Sequence, residues 1–142
     1  MIHLEFNSES ENEQIARVVA ATYIMKFDPD MEEMEDVKTA VSEAVTNCIV
    51  HAYSDQNGRI QMDLSDHDGV LKIQIEDEGV GIADVKKAME PMFTTKPEEE
   101  RTGMGFSFME AFMDEVKVIS EEEKGTTVIM TKKIGAMRKL NG

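Results

Sequence analysis

Hydrophobic positions along this chain repeat at two different spacings, and each change of spacing marks a new element. Ile2, Leu4 and Phe6 alternate with polar neighbours, which predicts a short strand over residues 2–6 with one buried face. From Ser10 the repeat lengthens. Ile15, Val18, Val19 and Thr22 fall on one helical stripe behind Ser10-Glu11-Asn12-Glu13, a capping-box pattern. Asp28-Pro29-Asp30 breaks that helix. Asp30 and Glu33 open a second, longer helix predicted to run to about residue 53, with Met34, Val37, Val41, Ala44, Val45, Cys48 and Ala52 on its apolar stripe.

Asn57-Gly58 is a turn signal. Two alternating runs follow, Ile60, Met62, Leu64 and then Leu71, Ile73, Ile75, and His67-Asp68-Gly69 between them predicts an antiparallel hairpin. A short helix is expected around residues 84–89. Residues 90–103 hold two of the three prolines and the run Glu98-Glu99-Glu100, which reads as an exposed, mobile loop. A helix carrying Phe106, Met109, Ala111, Phe112 and Met113 comes next. Strands over 116–119 and 126–131, around Lys124-Gly125, precede a polar, basic tail with Lys132, Lys133, Arg138 and Lys139. The sum is an α/β two-layer sandwich: a mixed, mostly antiparallel sheet with helices on one face. No repeat or linker divides it, so residues 1–142 are expected to form a single domain.

Charge narrows the possible partners. The formal net charge is −14, which argues against nucleic acid because a phosphate backbone demands a basic face. It also means that an anionic ligand must be met by a metal ion, local basic side chains or helix N-termini. No apolar run approaches the roughly 18 residues needed to span a bilayer, so no membrane partner is expected. Met1 to Phe6 offers neither the basic nor the long apolar region of a secretory signal. Cys48 is the single cysteine, so no internal disulfide is possible, and the expected localisation is the reducing cytoplasm. The twelve methionines are expected mainly in the core, where their flexible side chains fill irregular gaps.

Four segments carry candidate chemistry. Glu43 and Asn47 stand one turn apart on the long helix, just off its apolar stripe. Asn47 offers Mg²⁺ a neutral oxygen, and Glu43 is placed to accept a proton from a hydroxyl nucleophile. Asp77-Glu78-Gly79-Val80-Gly81 follows a buried strand directly. Its two glycines let the backbone turn and lie close to a flat ligand, and Asp77 can accept a hydrogen bond from an amino group such as that of adenine. Arg101-Thr102-Gly103-Met104-Gly105 precedes a helix, so backbone N–H groups and the Arg101 guanidinium can meet a phosphate. Gly125-Thr126-Thr127 opens the last strand, with Thr127 as the candidate near adenine. Lys96 suits either solvation of the loop or a phosphate contact. Taken singly, each segment is also an ordinary helix edge, turn or loop tip.

Together, Glu43-Ala44-Val45-Thr46-Asn47, Asp77-x-Gly79-x-Gly81, Gly103-Met104-Gly105 and Gly125-Thr126-Thr127 come in the order of the four boxes of the GHKL (Bergerat) ATP-binding superfamily, which this chain resembles. Val41 to Asn47, Pro91 to Pro97, Arg101 to Phe106 and Met109 to Asp114 are more narrowly similar to the small anti-sigma-factor serine kinases, over nearly the whole chain. The resemblance implies ATP and Mg²⁺ as cofactors and a lid over residues 92–104. It implies Asn47 as metal ligand, Glu43 as general base, and Asp77 with Thr127 as readers of adenine. Gly79 and Gly81 would shape the pocket floor, and Thr95, Arg101, Gly103, Met104 and Gly105 would contact the nucleotide. The implied partners are a sigma factor of the sporulation (F) type and an anti-anti-sigma factor phosphorylated on serine. A homodimer is also implied, with Arg17 a candidate partner contact. Two alternatives stay open: a kinase of the stress-response (B) type, and an ATP-gated sigma-factor clamp without useful kinase activity.

Overall fold

The computed structural model describes residues 1–54, 56–89 and 106–135. Strand β1 (Ile2–Asn7) leads into helix α1 (Glu11–Ile24) and a single 3-10 turn (Met25–Phe27). Helix α2 (Met31–Asn47) runs into a π-helical turn (Cys48–Ala52). Strands β2 (Arg59–His67) and β3 (Val70–Asp77), the short helix α3 (Val85–Ala88), helix α4 (Phe106–Phe112), and strands β4 (Glu115–Glu121) and β5 (Gly125–Lys133) complete the order.

The strands form one sheet in the order β1-β2-β3-β5-β4. Every neighbouring pair is antiparallel, so the sheet expected as mixed is wholly antiparallel among the described residues. The alternation read from the sequence sets which face is buried. Ile60, Met62 and Leu64 of β2, Leu71, Ile73 and Ile75 of β3, and Val128 and Met130 of β5 all lie in the core. Ala16, Ala20 and Ile24 of α1, Val37, Ala40, Val41, Ala44 and Val45 of α2, and Phe106 and Met109 of α4 fill the helical side of that core. Met62, Met109, Met113 and Met130 are core residues, as the methionine content suggested, whereas Met1, Met25 and Met31 are exposed.

The two long helices begin differently. Asp30 caps α2 as a complete box: its Oδ1 accepts from Glu33 N at 2.7 Å, and Glu33 Oε1 accepts from Asp30 N at 2.9 Å. Glu33 Oε2 also accepts from Gly135 N at 3.0 Å, tying the helix start to the chain beyond β5. The box expected at Ser10 and Glu13 does not form. Ser10 itself has helical backbone angles, φ −59° and ψ −31°, and its side chain makes no capping bond. A capping residue needs extended backbone to turn its oxygen onto the first N–H groups. Glu13 instead folds back toward Arg17, whose Nε lies 3.9 Å from its Oε1.

The far end of α2 also departs from the plain helix expected to about residue 53. At Cys48 the backbone widens to π spacing, and Tyr53 N donates to Cys48 O at 3.1 Å. Such turns recur at functional sites because the extra residue redirects the carbonyls that follow. Here the redirected carbonyl is Ala52 O, which accepts from Val80 N at 3.0 Å.

Candidate active site

The end of α2, the end of β3 and the start of β5 converge on one cleft. Register places Asp77 opposite Thr126, so the strand ending in the Asp-x-Gly-x-Gly turn lies beside the strand opening with Gly-Thr-Thr. A small cleft, with a cavity volume of about 20 Å³, lies between them and α2, lined by Asn47, His51, Ala52, Gly81, Ile82 and Thr126. Thus Asn47 and Gly81, assigned separately from the sequence, line one cavity.

Asp77 is only 5 % exposed. Its Oδ1 accepts from Gly79 N at 2.9 Å and from Thr126 N at 3.2 Å, and the Cys48 thiol donates a third hydrogen bond to the carboxylate. Burial raises the Asp77 pKa above the usual carboxylate range, and the three donors act against that rise. Burial, followed by the charge of Asp77 and the hydrogen bond to it, holds the Cys48 thiol well above its ordinary value. Cys48 is therefore a neutral donor here and not a thiolate.

The glycines of the turn answer steric demands. At Gly79 a Cβ would collide with the carbonyl of Ala52, the backbone to which Val80 N is bonded. Gly81 has φ +75°, and a Cβ there would meet the carbonyl of Glu121. The turn is gripped from that second side as well. Glu123 N donates to Val80 O at 2.6 Å, and Ile82 N donates to Ser120 Oγ at 2.7 Å. Ser120 Oγ lies 2.7 Å from Thr126 Oγ1 and 3.0 Å from Gly125 O, so one hydroxyl joins the turn to β5.

Thr126, not Thr127, stands beside Asp77. Thr126 is buried and lines the cleft, whereas Thr127 pairs with Glu76 and Ile119 and has the opposite strand parity. Sequence parity carries that signal: Thr126 shares its face with Val128 and Met130, both core residues.

Glu43 is half-buried on α2, one turn before Asn47. Burial raises its carboxyl pKa, and the like charge of Glu13 on α1 raises it further. Glu13 Oε1 is buried and has no hydrogen-bond partner. Its compensation is the Arg17 guanidinium at 3.9 Å. Arg17 itself sits on α1, away from the residues lining the cleft.

Among the described residues, no three or more His, Cys, Asp or Glu side chains form a metal cluster. Asn47 lines the cleft, and its side-chain amide carries a neutral oxygen of the kind Mg²⁺ accepts beside its waters and a phosphate. Thr95, Lys96, Arg101, Gly103, Met104, Gly105 and the lid expected over 92–104 lie outside the described residues.

Fold and cleft together define an ATPase domain of the histidine-kinase type. The family model for the histidine kinase-like ATPase domain matches residues 6–132, and the chain belongs to that family. The catalytic domain of the histidine kinase ThkA aligns with a TM-score of 0.61 at 20 % identity, covering 94 % of this chain and 97 % of that one. The RsbU and RsbW domains of Rv1364c from Mycobacterium tuberculosis align with a TM-score of 0.63 at 17 % identity, covering 94 % of this chain and 33 % of that one. Curated relatives narrow the class. An anti-sigma F factor of Geobacillus kaustophilus is 51 % identical over 140 residues, covering 98 % of this chain and 96 % of the relative. One of Caldanaerobacter subterraneus is 54 % identical over 138 residues, covering 97 % and 96 %. The chain is a member of the anti-sigma F factor family. Among the described residues, no helix is long and apolar enough to cross a membrane.

Proposed function

We propose that this chain binds Mg·ATP, holds a sigma factor of the F type inactive in the ATP state, and phosphorylates a serine of an anti-anti-sigma factor. The observation that carries the reading is Asp77, buried beside the cleft-lining Thr126 with its carboxylate oriented by backbone N–H groups and the Cys48 thiol. A carboxylate fixed in this way accepts the adenine amino group and rejects a base that presents a carbonyl there. The similarity to anti-sigma F factors over nearly the whole chain supports the choice of partners.

Phosphoryl transfer needs little covalent chemistry from the protein, and most of the acceleration comes from positioning and electrostatics. Asn47 would hold the metal through its side-chain oxygen. The metal, when bound, supplies positive charge to the β- and γ-phosphates in a protein whose own net charge is −14. Arg101 and the Gly103-Met104-Gly105 segment would meet the terminal phosphates, with Thr95 from the lid. Glu43 would take the proton of the serine hydroxyl as the serine oxygen bonds to the γ-phosphorus and the bond to the β-phosphate oxygen breaks, leaving ADP. A raised carboxyl pKa suits that role, because a general base works best when its pKa approaches the working pH. We place the protein in the cytoplasm, working as a homodimer, with α1 and Arg17 on the partner surface.

The test is transfer from γ-labelled ATP to a purified anti-anti-sigma protein, with and without Mg²⁺. Mg²⁺-dependent label on a partner serine is the expected result. Nucleotide binding and sigma-factor capture without label would overturn the kinase reading in favour of an ATP-gated clamp.

A further inference from the structure

The base-reading turn is joined to the helix carrying Glu43 and Asn47 by one side chain that neither touches the cleft nor belongs to its motifs. Tyr53 follows the π turn of α2 directly. Its hydroxyl donates to Arg59 O at 2.5 Å and accepts from Glu78 N at 2.7 Å. Glu78 is the residue after Asp77. Its side chain is held by Arg59 as well, with Nη2 2.8 Å from Oε1. The Tyr53 ring lies against Gly58, in the space that a side chain at 58 would occupy. The phenol therefore bridges the first residue of β2 and the first residue beyond β3, with both bonds made to backbone.

We propose that Tyr53 is a positioning residue for base selection: through Glu78 N it holds the strand end that aims the Asp77 carboxylate, and so sets the preference for ATP over GTP. The chain of contacts is short. Tyr53 fixes Glu78, Glu78 is bonded covalently to Asp77, and Asp77 Oδ1 accepts from Gly79 on the other side of Glu78. Rotation of the Glu78 peptide would move the Gly79 N–H and turn the carboxylate. Asp77 itself is held in the sheet beside Ile60 and Thr126, whose N–H also donates to its carboxylate, and the next backbone bonds along the turn are at Val80 N and Val80 O. Tyr53 also sits one residue after Ala52, whose carbonyl takes Val80 N, so both grips on this side of the turn come from the end of α2.

This inference rests on Asp77 as the reader of adenine, and the experiment separates the two. Nucleotide affinity is measured by calorimetry for ATP and GTP on the wild-type chain, Tyr53→Phe and Asp77→Asn. Tyr53→Phe keeps the ring and removes both hydroxyl bonds. It should weaken ATP binding roughly tenfold while leaving GTP binding nearly unchanged, so that the ATP/GTP ratio falls by about the same factor. A merely structural role would instead lower the melting temperature and weaken both nucleotides equally, and that result would overturn the proposal. If Asp77→Asn loses selectivity while Tyr53→Phe keeps it, Tyr53 is excluded and the Asp77 reading stands. A wild-type protein that does not prefer ATP, or selectivity unaffected by Asp77→Asn, sinks both. Hydrogen exchange on the wild-type chain needs no variant: ATP should slow exchange at the Glu78 amide and GTP should not. Equal exchange with both nucleotides would count against Tyr53 even if Tyr53→Phe failed to fold.

Discussion

Where we propose that the base is read, Asp77 is set by three donors, and the turn after it is gripped from the α2 side and from the β4–β5 hairpin. Where we propose that the proton is taken, Glu43 rides on a single helix, and what distinguishes its surroundings is burial and the nearby charge of Glu13. The contrast follows from the two tasks. Reading a base requires an acceptor held to a fraction of an ångström, and backbone hydrogen bonds supply that at low entropic cost. Taking a proton requires a pKa near the working pH, which neighbouring charge can tune without moving any backbone. One end should therefore fail when geometry is disturbed, and the other when charge is disturbed.

The largest expected effect is at the reacting edge. Glu43→Gln should slow single-turnover transfer by about 10²–10⁴-fold, while ATP affinity stays close to that of the wild type. Transfer at the wild-type rate would remove Glu43 from the chemistry. Asp77→Asn should do the reverse, weakening ATP binding by roughly 10–100-fold because an amide N–H would face the adenine amino group. Its oxygen can still accept from Gly79 and Thr126, so the fold should survive. Stability supplies a second reading of the same variant. The folded-state pKa of Asp77 is raised, so ionising it costs stability at neutral pH, and the wild type regains stability as pH falls through that raised value. Melting curves should show Asp77→Asn gaining on the wild type at neutral pH and losing the advantage in acid. An advantage that does not change with pH would contradict the burial argument.

Gly79→Ala disturbs geometry alone. The new methyl would press on the Ala52 carbonyl, and overpacking of this kind costs about 1–3 kcal/mol. Thermal unfolding should show that loss, with weaker ATP binding beside it. A variant as stable as the wild type would mean that the turn has slack the close contact with Ala52 does not suggest.

The same contrast explains what the sequence disclosed. The buried faces of β2, β3 and β5 followed from strict alternation, and the Asp30 box from four residues, because each depends on local spacing. Asp77, Gly79, Gly81 and Asn47 were legible as motif positions; the fold brings Asn47 and Gly81 to one cleft, and Asp77 and Gly79 belong to the strand end and turn that lead into Gly81. Thr127 was read from motif position, and the register sets its neighbour Thr126 beside Asp77. The failed box at Ser10 and Glu13 was not legible, since Ser10 adopts helical backbone and Glu13 is drawn to the α1–α2 seam by tertiary packing. The π turn and the grip of Tyr53 and Ser120 on the Gly79–Gly81 turn also depend on residues far apart in the chain.

Glu13 gives the smallest effect and the sharpest test of the charge-tuned edge. Its like charge raises the Glu43 pKa, second only to burial, and Arg17 lies 3.9 Å from the buried Glu13 oxygen. A general base must be ionised, so transfer is lost as pH falls through the raised Glu43 pKa. Glu13→Gln removes the repulsion and should move that acid limb to lower pH, leaving the plateau rate unchanged. Arg17→Ala should act with the opposite sign, because the Glu13 charge would then be less compensated and would hold the Glu43 proton more firmly. Both profiles should be recorded with ATP and partner saturating, so that weaker docking of Arg17→Ala does not enter the rate. Opposite displacements from two neighbouring residues on α1 are hard to obtain from a general loss of structure. Coincident acid limbs in both variants, with Glu43→Gln still inactive, would mean that burial alone sets the base and that the Glu13–Arg17 pair serves the helix seam.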